Sequence, residues 1–145
     1  MDALKSQVVE HVAPDTGNLR DEMLTAMLGR GHGMEGSTWG AMAPQLVAAA
    51  AIDPDMSEIQ RRDSEYYLSI LVQIIERARK RGEVADETDP IHAALLFSAP
   101  IFHQHLFGRQ PIDARWITSH VDKTVALLIS KARQTASTKD RKSVV

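Results

Sequence analysis

Two histidines, His103 and His105, are the side chains best suited by type to hold a metal ion or a polar ligand group. They are two residues apart, so on a helix they would point about 200° apart and could not bind one metal ion together. A single histidine in an apolar cavity can still orient a ligand through one hydrogen bond. We therefore predict no metal site, and we retain both histidines as candidates for a ligand contact.

Residues 31–36 match the form G-x-G-x-x-G, which in dinucleotide-binding proteins lies between a strand and a helix. In this chain a helix is predicted before the glycines and no parallel strand is available, so a flexible loop explains them better than a nucleotide site. The chain has no cysteine, no G-x-S-x-G and no H-E-x-x-H, which leaves nucleophilic and zinc-dependent hydrolysis unsupported. We predict no cofactor and no enzymatic activity.

Flexible apolar side chains gather around residues 29–40, a stretch that also holds five of the 8 glycines. Methionines adapt to ligands of varied shape, so the cluster is either an ordinary part of the core or a small-molecule pocket that a loop of residues 29–40 would close. The two tyrosines would add hydroxyl groups to such a pocket. The predicted pocket residues are Met23, Met27, Trp39, Met42, Leu46, Tyr66, Tyr67, Ile70, Ile74, Phe97, Phe102 and His103.

One long helix over residues 53–82 must position these side chains. Asp53 is a good N-cap, Pro54 suits the first helical position, and Gly82 can take the left-handed conformation that ends a helix. Between these signals, apolar residues recur at spacings of three and four. At 1.5 Å per residue the helix would be ~40 Å long, so we expect the other helices to pack around it.

Five further helices are predicted from the same apolar spacing and from cap residues. Pro44 is expected either to kink the third helix or to mark its true start. Period-two alternation is absent, so the predicted fold class is all-α, a six-helix bundle. Residues 134–145 are polar and basic and are expected to be disordered. The five further helices cover residues 2–12, 19–28, 38–52, 89–107 and 113–133.

The composition indicates one globular domain, because 145 residues with 43% hydrophobic content can bury a sizeable core. A formal net charge of −2 gives no basic excess for direct contact with nucleic acid. Apolar stretches are too short to cross a membrane, and the N-terminus lacks the apolar core of a signal peptide. We therefore predict a cytoplasmic protein with no membrane partner.

Three segments together resemble the C-terminal domain of tetracycline-repressor (TetR) family transcriptional regulators. Residues 14–22, PDTGNLRDE, are similar to the turn and helix start that follow the family's linker helix. Residues 53–84, which start DPDM and end RARKRGEV, are similar to the family's long helix. Residues 89–107, with the sequence SAPIFHQHLF at their end, are similar to its proline-kinked helix. The order and spacing of the three segments carry the resemblance over almost the whole chain.

The resemblance implies a homodimer in which residues 90–107 and 114–133 of two subunits form a four-helix bundle, with one pocket for a small apolar or amphiphilic effector in each subunit. The family's DNA-binding helix-turn-helix has no counterpart here, so residues 1–133 are expected to form only the effector-binding and dimerisation domain, and DNA would be contacted only through the absent domain. The apolar pattern of residues 117–128 independently requires a partner surface. The predicted dimer contacts are Ile91, Leu95, Phe102, Leu106, Ile117, Val121, Val125 and Leu128.

Two other functions are kept open. The chain could be a stand-alone helical dimerisation or interaction protein without an effector. It could also be a small helical enzyme, although no set of acid, base and nucleophile supports that class.

Overall fold

The computed structural model describes residues 13–108 and 110–143, apart from the side chain of Ser130. These residues form five α-helices and no strand, which confirms the all-α prediction. The predicted helix over residues 2–12 lies outside the described residues. The helices are α1 (Leu19–Met34), α2 (Thr38–Ala50), α3 (Pro54–Lys80), α4 (Pro90–Phe107) and α5 (Ala114–Ser143).

The helix starts are fixed by polar side chains, as the sequence predicted. Asp53 Oδ1 accepts the backbone N–H of Asp55 at 2.9 Å at the start of α3, and Asp89 Oδ1 accepts that of Ile91 at 2.9 Å at the start of α4. Asp113 accepts the N–H of Trp116 at 2.8 Å at the start of α5. Each such cap typically stabilises a helix by about 1 kcal/mol.

The long helix α3 packs against α1, α2 and α4, as expected, but α5 packs mainly against α1. Helix α1 is therefore the one that contacts all four others. The end of α3 is also as predicted, because Gly82 has a φ of 78° and the next N–H, from Glu83, bonds the carbonyl of Ala78 at 3.0 Å. The core side of α3 is formed by Leu71, Ile74, Ile75 and Ala78, all 0% exposed.

The prediction of a loop over residues 29–40 was wrong. Helix α1 continues through Gly29, Gly31 and Gly33 to Met34, and only residues 35–37 separate it from α2. Tertiary packing overrides the weak helix propensity of glycine, because Gly31 lets α1 approach α5 closely. A Cβ atom at Gly31 would lie 2.3 Å from Ile117 Cδ1.

Helix α2 begins at Thr38 and runs through Pro44, so the proline does not mark its start. Ser37 sets the start instead, since its Oγ accepts the N–H of Gly40 at 2.9 Å. Pro44 has no N–H to bond the carbonyl of Gly40 four residues earlier. That carbonyl accepts a hydrogen bond from Nε2 of His105 in α4, at 2.7 Å.

Helix α5 extends to Ser143, beyond Gln134, where the sequence predicted a disordered tail. Most of residues 134–143 are exposed, so this part of the helix gains little from packing. The side-chain bonds of this segment are local, such as that from Thr138 Oγ1 to the Gln134 carbonyl at 3.0 Å. The division of the chain into a domain and a tail stays a prediction.

Candidate functional site

The structure divides the predicted pocket residues into a buried group and a surface group. Met23, Met27, Ile74 and Phe97 are 0% exposed and Ile70 is 5% exposed, so these five side chains fill the core. The surface group is only partly covered or is exposed. It consists of Trp39 (37% exposed), Met42 (45%) and Tyr66 (44%), half-buried Leu46 and Phe102, and exposed His103.

Tyr67 connects the two groups. It is 7% exposed, whereas its neighbour Tyr66 points outward, so only one of the two tyrosines faces inward as predicted. Its hydroxyl lies 3.9 Å from the sulfur of Met27, a weak acceptor. Burial raises the pKa of the Tyr67 hydroxyl, and the nearby positive charge of Arg30 opposes the shift.

Arg30, on α1, is the residue around which the surface group is built, and it is not among the residues predicted for the pocket. Its guanidinium carbon lies 4.9 Å from the ring centre of Trp39, 4.4 Å from that of Tyr67 and 5.3 Å from that of Phe102. The three rings come from α2, α3 and α4, so one cation joins four helices. We call Arg30, Trp39, Tyr67, Phe102 and Asp63 the Arg30 cluster.

The guanidinium of Arg30 is poorly satisfied by polar partners. Its side chain is only 16% exposed, and its Nε is buried without a hydrogen-bond partner among the described residues. Among the described residues its anionic neighbour is Asp63, whose Oδ2 lies 3.7 Å from Nη2. This separation is too long for a hydrogen bond, and Asp63 is itself 52% exposed.

Glu22 forms a second charged cluster on the same helix, and there both carboxylate oxygens have partners. Its side chain is 0% exposed. Oε1 accepts the N–H groups of Thr16 at 3.0 Å and Gly17 at 3.2 Å, while Oε2 lies 3.2 Å from Arg81 Nη2 and 4.0 Å from Arg77 Nη2. The carboxylate therefore ties residues 16–17 to the end of α3.

Helix α4 presents a broad face to solvent that is mostly apolar and also carries His92 and His103. Ile91 is 55% exposed, Leu95 46%, Leu96 42% and Phe107 74%. No residue of α4 is Asp, Glu, Lys or Arg, so nothing on this helix other than its histidines carries charge. Exposed helices normally carry charged residues on the outer face, so this face is typical of a contact surface.

The comparisons with known proteins agree with this architecture. The family profile described as tetracyclin repressor-like, C-terminal domain, matches residues 13–124. The chain belongs to this family. The fold is also similar to the crystal structure of TetR family transcription regulator SCO0332, with a TM-score of 0.74 and 23% sequence identity, over 82% of this chain and 66% of that chain. No curated protein matches the chain.

The TetR-like domain thus spans α1 to α4 and the first part of α5. Four predicted dimer contacts on α5, Ile117, Val121, Val125 and Leu128, are at most 7% exposed and lie in the core of the single chain. These four side chains lie in the core because the face of α5 that carries them packs against α1. The predicted contacts on α4 differ, since Ile91 and Leu95 are exposed and Phe102 and Leu106 are half-buried.

Arg30 was missed because it stands between Gly29 and Gly31, in the stretch predicted to be a loop. Extending the helical pattern would have revealed it, since residues 23, 27, 30 and 34 lie on one helix face and only Arg30 among them is charged. The described residues contain no group of three potential metal ligands. None of the described helices is both long and apolar enough to cross a membrane.

Proposed function

We propose that this chain is the regulatory domain of a TetR-family transcriptional repressor, which forms a homodimer and responds to a small amphiphilic effector in the cytoplasm. DNA would be contacted by the family's helix-turn-helix and not by residues 13–143. Effector binding would favour one dimer geometry, and the spacing of the DNA-binding segments would change with it.

The main support for the proposed dimer is the exposed, mostly apolar face of α4. Its residues would be buried if α4 of one subunit packed against α4 and α5 of another, as in the family's four-helix bundle. Burial stabilises by roughly 25 cal/mol per Å² of apolar area, so a few such side chains from each subunit add several kcal/mol before the cost of association. A helix without charged residues has no other evident reason to face solvent.

Light scattering on the purified chain tests the dimer. We expect twice the mass of one chain at micromolar concentration, and a single-chain mass for Leu95→Glu, because the dimer would bury a carboxylate without a partner. Ile59→Glu is the matched control, since Ile59 is 61% exposed but lies on α3. A monomeric wild-type chain, or a dimer that survives Leu95→Glu, would contradict the proposal.

Helix α2 is the observation that supports an effector site. Within α2 only Gly40 and Ala43 are buried, while Trp39, Met42 and Val47 are between 37% and 45% exposed. The helix therefore contributes little to the core, and its contact with Arg30 is made by the partly exposed ring of Trp39. A small apolar or amphiphilic molecule could displace α2 with little loss of packing energy.

A stand-alone interaction protein without an effector is the second candidate. It is favoured by the buried group of predicted pocket residues, whose side chains are at most 5% exposed and belong to the core. A thermal-shift screen separates the two functions. Stabilisation that saturates with ligand concentration supports the effector domain, whereas a dimer that no small molecule stabilises supports the interaction protein.

A further inference from the structure

Arg30 differs from the two arginines beside Glu22 because its whole guanidinium lacks a hydrogen-bonded partner among the described residues. Arg77 donates to the Pro14 carbonyl and Arg81 donates to Glu22, although Arg77 Nε, like Arg30 Nε, is buried without a partner. The Arg30 side chain donates no hydrogen bond to any of the described residues, although it is only 16% exposed. Of the five N–H donors of its guanidinium, the one on Nε is buried, and withdrawing such a donor from water without a replacement acceptor is costly.

A ligand carboxylate would supply the missing acceptors. Arginine pairs with a carboxylate through two parallel N–H···O bonds, which are about twice as strong as hydrogen bonds between neutral groups. Asp63 does not provide this pairing, because it approaches one nitrogen at 3.7 Å and is 52% exposed. Asp63 can therefore attract the guanidinium, but a ligand carboxylate that bonds two of its nitrogens would displace it.

The surroundings of Arg30 would accept the rest of the ligand. The rings of Trp39, Tyr67 and Phe102 surround the guanidinium, and Met42 and Leu46 follow Trp39 along α2. These side chains offer apolar surface beside a fixed positive charge. The combination suits a molecule with an anionic head and an apolar body, whereas a cationic ligand would have to replace Arg30 between the rings.

We propose that Arg30 is the anion-binding residue of the effector site and that the effector is an amphiphilic carboxylate, with its carboxylate on the Arg30 guanidinium and its apolar body beneath α2. The inference rests on the proposed effector function and adds the ligand class and the residue that recognises it. Entry would require α2 to move, because Arg30 Nε is buried and the Trp39 ring of α2 lies against the guanidinium.

Three probes with the same alkyl chain and different head groups test the ligand class. Octanoate, 1-octanol and octyltrimethylammonium are titrated into the full chain below their micelle-forming concentrations, and Kd is measured by calorimetry. We expect octanoate to bind most tightly. Octyl phosphate, added as a fourth probe, tests whether the site prefers a planar carboxylate to a tetrahedral anion of the same chain length.

Substitutions in the Arg30 cluster test the residue. Arg30→Gln should weaken octanoate binding by about ten- to a hundredfold, the value of a hydrogen bond to a charged group, and should leave 1-octanol binding unchanged. Arg30→Lys should restore part of the affinity, because it keeps the charge but loses the paired geometry. Arg115→Gln, an exposed arginine on α5, is the control for net charge and should bind like the wild type.

Asp63→Asn gives an effect of opposite sign that a purely structural role of Arg30 would not produce. Asp63 is exposed, so the substitution leaves the core intact, and octanoate no longer competes with a carboxylate of the chain. We expect about two- to fivefold tighter octanoate binding, the range for an exposed ion pair. Circular dichroism of each variant confirms that it is folded before its Kd is compared.

The outcomes separate the inference from the proposed function. Weaker octanoate binding in Arg30→Gln together with tighter binding in Asp63→Asn supports the inference. Equal octanoate affinity in the wild type and Arg30→Gln, or tighter binding of the cation or of octyl phosphate than of octanoate, overturns the inference and leaves an effector domain of another specificity. Binding of none of the probes overturns the inference and removes the support for an effector site beneath α2.

Discussion

Replacing Glu22 with glutamine should lower the free energy of unfolding by about 3 kcal/mol, because it removes a buried charge on which two arginines depend. Glutamine keeps one oxygen for the N–H groups of Thr16 and Gly17, now as a neutral and weaker acceptor. Its amide group would take the place of Oε2, 3.2 Å from Arg81 Nη2, and set donor against donor. Nothing else at this position replaces the lost carboxylate oxygen.

The magnitude follows from burial. Breaking a buried ion pair by removing one partner costs about 3–5 kcal/mol. The side chains of Arg77 and Arg81 are 30% and 28% exposed, so water solvates them in part and the cost falls toward the lower end. For a domain of this size about 3 kcal/mol corresponds to a drop of roughly 6–12 °C in the unfolding midpoint.

Urea unfolding followed by circular dichroism measures this change at one fixed protein concentration, since a dimer would make stability depend on concentration. Glu58→Gln is the matched control. Glu58 accepts three hydrogen bonds from Arg61 and Arg62, which lower its pKa to about 2, but its side chain is 43% exposed. Replacing Glu58 with glutamine should leave the urea concentration at the unfolding midpoint almost unchanged. If both substitutions cost the same, burial does not determine the strength of these ion pairs and the reasoning fails.

Two further predictions concern α1 and α3. Gly29→Ala should stabilise the domain by up to about 1 kcal/mol by helix propensity, whereas Gly31→Ala should destabilise it, because overpacking against buried Ile117 costs about 1–3 kcal/mol; thermal unfolding that shifts both the same way would contradict this. Burial raises the pKa of Tyr67, so the neutral hydroxyl is favoured in the folded protein. The stability that this gives is complete below the ordinary tyrosine pKa of 10.0 and is lost as the pH rises further. Tyr67→Phe should therefore lose less stability than the wild type or Tyr66→Phe when unfolding is measured across this range, and equal slopes would refute it.

The helices were predictable where a local signal decides the structure. Asp53 and Asp89 accept the N–H groups two residues on and are each followed by proline, and Gly82 has the positive φ expected of a helix end. Each of these signals acts within a few residues, so the sequence alone contains it. The class of the fold and the bounds of α3 follow from such signals.

The site could not be predicted in the same way, because its residues are brought together by packing between helices. The glycines around Gly31 predict a loop, although the missing side chain of Gly31 is what lets α1 approach α5. With α1 cut short, the sequence placed Arg30 on no helix face. Periodicity showed that Ile117 and Val121 face an apolar surface, but not whether that surface belongs to the same chain or to a partner.

Helix α1 carries both charged clusters, and the two differ in how completely their charged groups are paired. This difference suggests how ligand binding at Arg30 would affect residues 13–17. Glu22, near its start, has partners on both carboxylate oxygens and holds residues 16–17. Arg30, eight residues later and ~12 Å along the helix, is incompletely paired. An anion bound at Arg30 would change the forces at one end of a helix whose other end is fixed to α3 by Arg81. Glu22→Gln should therefore weaken the effect of a ligand on residues 13–17 while leaving its affinity at Arg30 unchanged, which hydrogen exchange of the Thr16 and Gly17 amides with and without octanoate would measure.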